Sequence, residues 1–138
     1  MPVKDTFHDL VKRALQKEGW NITHDPLFLG WGEVDLYVDL GAEQVVAAQK
    51  GEQKIAVEIK SFLASSIMSD FHTAVGQYID YRTVLEESEP DRILYLAVPL
   101  EIYDSFFQRT FTRTVISRQQ IRFFVYDIQQ EVIILWEK

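Results

Sequence analysis

Between Lys54 and Phe62 the chain reads KIAVEIKSF, and strand alternation puts Ile55, Val57 and Ile59 on one side and Ala56, Glu58, Lys60 and Phe62 on the other. A carboxylate and an ammonium therefore share one face, their Cα atoms about 6.6 Å apart by strand rise. Burying two charges in so apolar a strand costs several kcal/mol unless they are paired or hold a metal. From this strand alone, an exposed Glu and Lys paired across strands explain the pattern at least as well. A second segment, VDLYVDL, shifts the balance, because Asp35, Tyr37 and Asp39 lie on one face and Leu36, Val38 and Leu40 on the other. If the two strands are sheet neighbours, Asp35 and Glu58 converge with Lys60. Two hard carboxylates suit Mg²⁺ or Mn²⁺, and Mg²⁺ takes one or two of them plus waters and phosphate oxygens. A bound metal of this kind acidifies water and neutralises a phosphodiester, and a lysine beside it orients or deprotonates the attacking water.

Those strands need a scaffold. Asp5 to Lys17 has Phe7, Leu10, Val11, Ala14 and Leu15 at helical spacing, with Gly19 as a C-terminal stop. Trp20 to His24 reads as a short strand closed by Asp25-Pro26, and Leu27 to Gly32 as an irregular loop. Val34 to Leu40 reads as a strand, and Gln44 to Ala48 as a strand or a helical turn before the Lys50-Gly51-Glu52 turn. Ser69 to Glu87 is a long amphipathic helix, and Arg92 to Val98 a continuous apolar run of the kind buried on both faces at a sheet centre. Leu100 to Gln108 and Thr112 to Gln119 read as short helices, and Ile121 to Tyr126 and Val132 to Trp136 as final strands. This order is α/β, an antiparallel meander followed by a helical crossover to a buried strand.

Composition narrows the function classes. The 138 residues fit one domain, and 47% hydrophobic residues supply a core. The longest apolar run, Ile93 to Leu100, is far below the roughly twenty residues of a membrane span. Without cysteine there is no disulfide, thiolate metal site or cysteine nucleophile. The first residues show no apolar export segment, so the expected location is the cytoplasm. A net charge of −7 argues against coating nucleic acid by bulk attraction, yet the charge is segregated. Six acids against Arg92 lie between Glu86 and Asp104, whereas Ser105 to Tyr126 holds Arg109, Arg113, Arg118 and Arg122 with no acid. That block is expected to contact DNA phosphates or an acidic surface; a solvated basic face is the plainer alternative. No glycine-rich phosphate loop, nucleophile elbow or dinucleotide fingerprint points to a metabolic enzyme.

With VDLYVDL followed 23 residues later by VEIK, the chain resembles the PD-(D/E)xK nucleases, in which an acid opens one strand and E-x-K lies on its neighbour; valine stands here at the proline position. Gln77 and Tyr81, four apart on one helix face, are similar to the Q-x-x-x-Y motif of the exonuclease and recombination branch, where both side chains help place DNA and metal. A packed tyrosine beside a chance glutamine is the plainer account. Such folds often carry a metal-binding Glu on the first helix, and that register gives His8; a histidine bonded to a neighbouring carboxylate is the alternative. His24 and His72 are taken as structural, and Phe62, Phe71, Phe106 and Phe107 as core.

Over nearly the whole chain, from KDTFHDLVKRAL and GWNITHDPLF through IAVEIKSF to FHTAVGQYIDYR and EPDRILYLAVP, the sequence resembles the XisH family, the fdxN element excision controlling factors of cyanobacteria. The resemblance implies one restriction-endonuclease-like domain over 1–138, with three layers and a mixed central β-sheet flanked by helices. The likeness to the PD-(D/E)xK nucleases implies catalytic Asp35, Glu58 and Lys60, a Mg²⁺ or Mn²⁺ site of Asp35, Glu58, Ile59 and His8, and DNA contacts from Gln77 and Tyr81, to which the acid-free basic block adds Arg109, Arg113, Arg118 and Arg122. Expected partners are DNA, an XisI-like companion protein, a site-specific recombinase and a second copy of the chain; a membrane is not among them. The expected activity is Mg²⁺-dependent DNA cleavage or nicking in site-specific excision. The alternative is a non-catalytic DNA- or protein-binding module on the same fold that controls excision through its companion.

Overall fold

A computed structural model describes residues 7–32, 34–35, 45–63 and 65–138, without the side chains of Trp31, Val34 and Asp35. Helix α1 (His8–Lys17) is followed by β1 (Asn21–His24), the short pair β2 (Gly30–Trp31) and β3 (Val34–Asp35), then β4 (Val45–Lys50) and β5 (Gln53–Ile59). Helix α2 (Ile67–Ser88) leads to β6 (Arg92–Pro99). After it come α3 (Leu100–Asp104), a 3₁₀ turn (Phe106–Gln108), α4 (Thr110–Arg118), β7 (Phe123–Asp127) and β8 (Val132–Glu137). Six strands form one mixed sheet in the order β1-β4-β5-β6-β7-β8. β1, β4 and β5 run antiparallel, β5, β6 and β7 parallel, and β8 antiparallel to β7.

Two apolar layers flank this sheet, as alternation dictates. Ile55, Val57 and Ile59 join Val46, Ala48, Tyr95, Ala97, Phe124 and Tyr126 under the Val11–Leu15 stripe of α1. On the other side, Ala56, Val45, Leu94, Leu96 and Val125 meet Phe71, Ala74, Tyr78, Tyr81 and Leu85 of α2, with Phe106 and Phe107. β6 is buried because β5 and β7 hydrogen-bond both its edges while a helix layer covers each face. Ser66 caps α2, its hydroxyl accepting from Ser69 N–H at 3.1 Å. Gly19 ends α1 at φ +92°, and Gly51 turns β4 into β5 at φ +59°, both in the left-handed region that glycine enters without strain.

Several sequence expectations are revised. The segment 45–50 is a strand, which removes the helical-turn option. Of the strand expected from Val34 to Leu40, Val34–Asp35 pairs with Gly30–Trp31 in a separate two-stranded sheet, and 36–40 lie outside the described residues. The hydrogen-bonded neighbours of β5 are β4 and β6, so the strand bearing Asp35 is not one of them. β5 also stops at Ile59: Phe62 adopts φ +57°, a conformation that costs an L residue about 1–2 kcal/mol. Edge-to-face packing of its ring on Phe107, at 6.1 Å, offsets that cost.

Candidate functional site

Glu58 stands beside Leu96 of β6 and opposite Val45 of β4, on the face that α2 covers. Its side chain is fully buried, and Lys60 Nζ lies 4.0 Å from its Oε2 with 9% of the lysine side chain exposed. The exposed, cross-strand-paired alternative therefore does not apply. Beyond β5, Lys60 stays tied to the sheet, its N–H donating to Ala97 O at 3.3 Å while its carbonyl accepts from the Tyr126 hydroxyl at 2.9 Å. A backbone bond to β6 and a side-chain bond from Tyr126 of β7 thus fix where the ammonium emerges. Ile59 turns its side chain into the α1 layer.

From above, α2 presents Gln77 and Tyr81 on one buried face, as their spacing predicts. Gln77 Oε1 is buried without a hydrogen-bond partner among the described residues, an orphan that normally demands a reason. Between them Tyr78 donates its hydroxyl to Leu94 O and accepts from Arg122 N–H, each at 3.0 Å. Burial pushes the Tyr78 phenol up; Arg82 and Arg122 oppose this and the Glu58 carboxylate adds to it. Glu58 therefore lies within electrostatic reach of the middle of α2.

Asp35 belongs to the hairpin that α2 contacts through β2, on the same side of the sheet as Glu58. Its side chain lies outside the described residues. Leu27 and Leu29, which lead into the hairpin, pack in the α2 layer, and Leu27 N–H donates to the carbonyl of Val45, the residue opposite Glu58. The Asp35 backbone therefore reaches the face of the sheet that bears Glu58 by packing rather than by strand pairing.

His8 sits elsewhere. Its helix covers the opposite face of the sheet, and its Nε2 is 2.7 Å from Asp25 Oδ1, while Lys12 Nζ bonds Asp25 Oδ2 at 2.5 Å. Burial raises the Asp25 carboxyl, but Lys12 and His8 together hold it below its ordinary value. This is the carboxylate-bonded histidine alternative, and Asp25 was not singled out in the sequence because it lies 17 residues from its partner. His24 and His72 are exposed, so neither serves the core. Phe62, Phe71, Phe106 and Phe107 are buried as expected. Among the described residues, no three His, Cys, Asp or Glu side chains gather to hold a metal.

The arginine block is exposed throughout but does not act as one face. Arg113 and Arg122 line a cleft between α2, α4 and the start of β7; Arg109 stacks over Phe106 at 5.1 Å, and Arg118 closes α4 outside the cleft. No helix among the described residues is long and apolar enough to cross a membrane.

A mixed sheet between two helical layers, with a buried acid and a lysine leaving its central strand beneath a glutamine and a tyrosine, defines a three-layer α/β protein with a sheet-borne acid–lysine site. Comparison with known proteins agrees on the architecture. The crystal structure of an XisH family protein from Nostoc punctiforme PCC 73102 is 48% identical, covers 97% of this chain and 100% of its own, and superposes with a TM-score of 0.90. That of an fdxN element excision controlling factor protein from Anabaena variabilis is 50% identical, with coverage of 96% and 98% and a TM-score of 0.89. Among curated proteins none matches. The family model described as XisH protein matches residues 1–134, and the chain belongs to the XisH family.

Proposed function

We propose that this protein takes part in excision of a DNA element by cutting or nicking DNA with Mg²⁺ or Mn²⁺ at Glu58 and Lys60, on a PD-(D/E)xK nuclease fold. The excision role follows the Anabaena variabilis relative, described as an fdxN element excision controlling factor. The observation that carries the chemistry is a carboxylate with no exposed surface beside an ammonium at 4.0 Å, inside an apolar layer where both cost stability. Glu58 supplies one of the one or two carboxylates that magnesium uses, and Asp35 and the Ile59 main chain complete the set in this reading. When bound, the metal supplies an acidified water and neutralises phosphate charge. Lys60 then orients the attacking water and stabilises charge developing on the phosphorane. Gln77, with its orphaned carbonyl, and Tyr81 hold the strand being cut, and Arg109, Arg113, Arg118 and Arg122 meet phosphates beyond it.

One observation favours the second reading, a non-catalytic module that controls excision through an XisI-like companion and a recombinase: the net charge of −7 weakens unaided DNA binding. Nicking of supercoiled plasmid by the purified protein, alone and with the companion, separates the two. Catalysis predicts Mg²⁺-dependent nicking that Lys60→Ala abolishes, and loss of excision in cells carrying that variant. Full excision in those cells would refute a hydrolytic role.

A further inference from the structure

The cleft on the β7 side of the α2 face has a volume of about 910 Å³, and its wall combines three chemistries. Arg113 and Arg122 bring guanidiniums with no ion pair or hydrogen bond among the described residues, since only their backbones are engaged. Arg82 is already spent, donating to Gln119 O and Gln120 O and lying over the Tyr78 ring. Tyr103, half-buried and 6.0 Å from Phe123, brings an aromatic surface. Glu86 and Glu137 bring acceptors into the same space.

We propose that this cleft binds a short stretch of single-stranded nucleic acid, with phosphates on Arg113 and Arg122 and a base against Tyr103. This names the form of DNA for the function proposed above and rests on that reading for the nature of the polymer. An unpaired strand offers bases for stacking and phosphates for the cations at once, the combination that single-strand sites use. Glu86 and Glu137 offer acceptors for base amino groups, donors that the side chains of an acidic peptide lack. The volume lies in the range of about 300–1,000 Å³ that holds small ligands, so a duplex, with its bases turned inward, presents nothing that enters. β7 and β5 are two strands apart, which puts the cleft about 10 Å across the sheet from Glu58.

Anisotropy of a fluorescein-labelled eight-nucleotide single strand, measured in EDTA, tests the proposal against a duplex of the same sequence and a glutamate octapeptide. The single strand is expected to bind more tightly than either competitor. With two phosphates contacted, its affinity should fall only about sevenfold between 50 and 200 mM salt. Arg113→Gln and Arg122→Gln, on exposed side chains, should each weaken it, as should Tyr103→Ala, while Tyr103→Phe keeps it. Equal or tighter binding of the duplex or the peptide, or unchanged affinity in both arginine variants, would overturn the proposal. Glu58→Gln should retain this binding; if it loses nicking but still binds the single strand, the cleft and the hydrolytic site stand apart, and if it loses the binding the proposal fails.

Discussion

Replacing Lys60 by methionine removes an ammonium while keeping most of its stem, and the cost can be worked from the pair's geometry. Removing one partner of a fully buried ion pair costs about 3–5 kcal/mol, because the remaining charge is left in low dielectric. Here the Nζ–Oε2 distance of 4.0 Å is at the outer limit of an ion pair and 9% of the lysine side chain meets solvent. The loss should therefore fall below that range, at about 2 kcal/mol. For a chain of this length that is a drop in Tm of about 7 °C. The double variant Glu58→Met, Lys60→Met removes both charges at similar volume and should recover wild-type stability or exceed it, since apolar replacements of buried pairs are commonly neutral or stabilising. Thermal and urea denaturation of wild type, both single variants and the double variant close a thermodynamic cycle. A Lys60→Met protein as stable as wild type, with effects of the two substitutions that simply add, would refute the claim that the protein gives up stability to keep these charges together.

Tyr78→Phe should cost about 1–3 kcal/mol by denaturant unfolding, because the Leu94 carbonyl and the Arg122 N–H lose their shared hydroxyl in a buried layer. Asp25→Asn should lower stability at pH 7 by about 1 kcal/mol, since the charged bonds to His8 and Lys12 are partly exposed. Because folding depresses the Asp25 carboxyl below its ordinary 3.8, the wild-type advantage is full above that value and disappears as pH falls through the lowered one. Unfolding curves of both proteins from pH 7 to pH 2 should thus converge only at the acid end.

Strand alternation revealed the Glu58–Lys60 facing and helical spacing the Gln77–Tyr81 facing, because both are local geometry that a run of side chains reports directly. The central place of Arg92–Pro99 was equally readable, since a strand covered on both faces has no polar side to show. Pairing was harder. Alternation tells which way Asp35 faces but not which strand it bonds, and its hairpin instead reaches the α2 side through loop residues such as Leu27 and Leu29. The Asp25 clamp on His8 and the split of the four arginines are long-range consequences of chain return, for which spacing carries no signal. A phenylalanine at positive φ just beyond Lys60 was likewise invisible, because nothing in its type announces a left-handed backbone.

Crystals of the protein soaked in Mn²⁺ would reveal whether Glu58 binds a metal, through anomalous difference density on the α2 face of the sheet. A single strong peak is expected, bonded to a Glu58 carboxylate oxygen with Lys60 beside it, and absent in Glu58→Gln crystals. An ordered, fully occupied lattice with no manganese at Glu58, while wild-type protein nicks DNA no faster than the Lys60→Ala variant, would contradict that expectation.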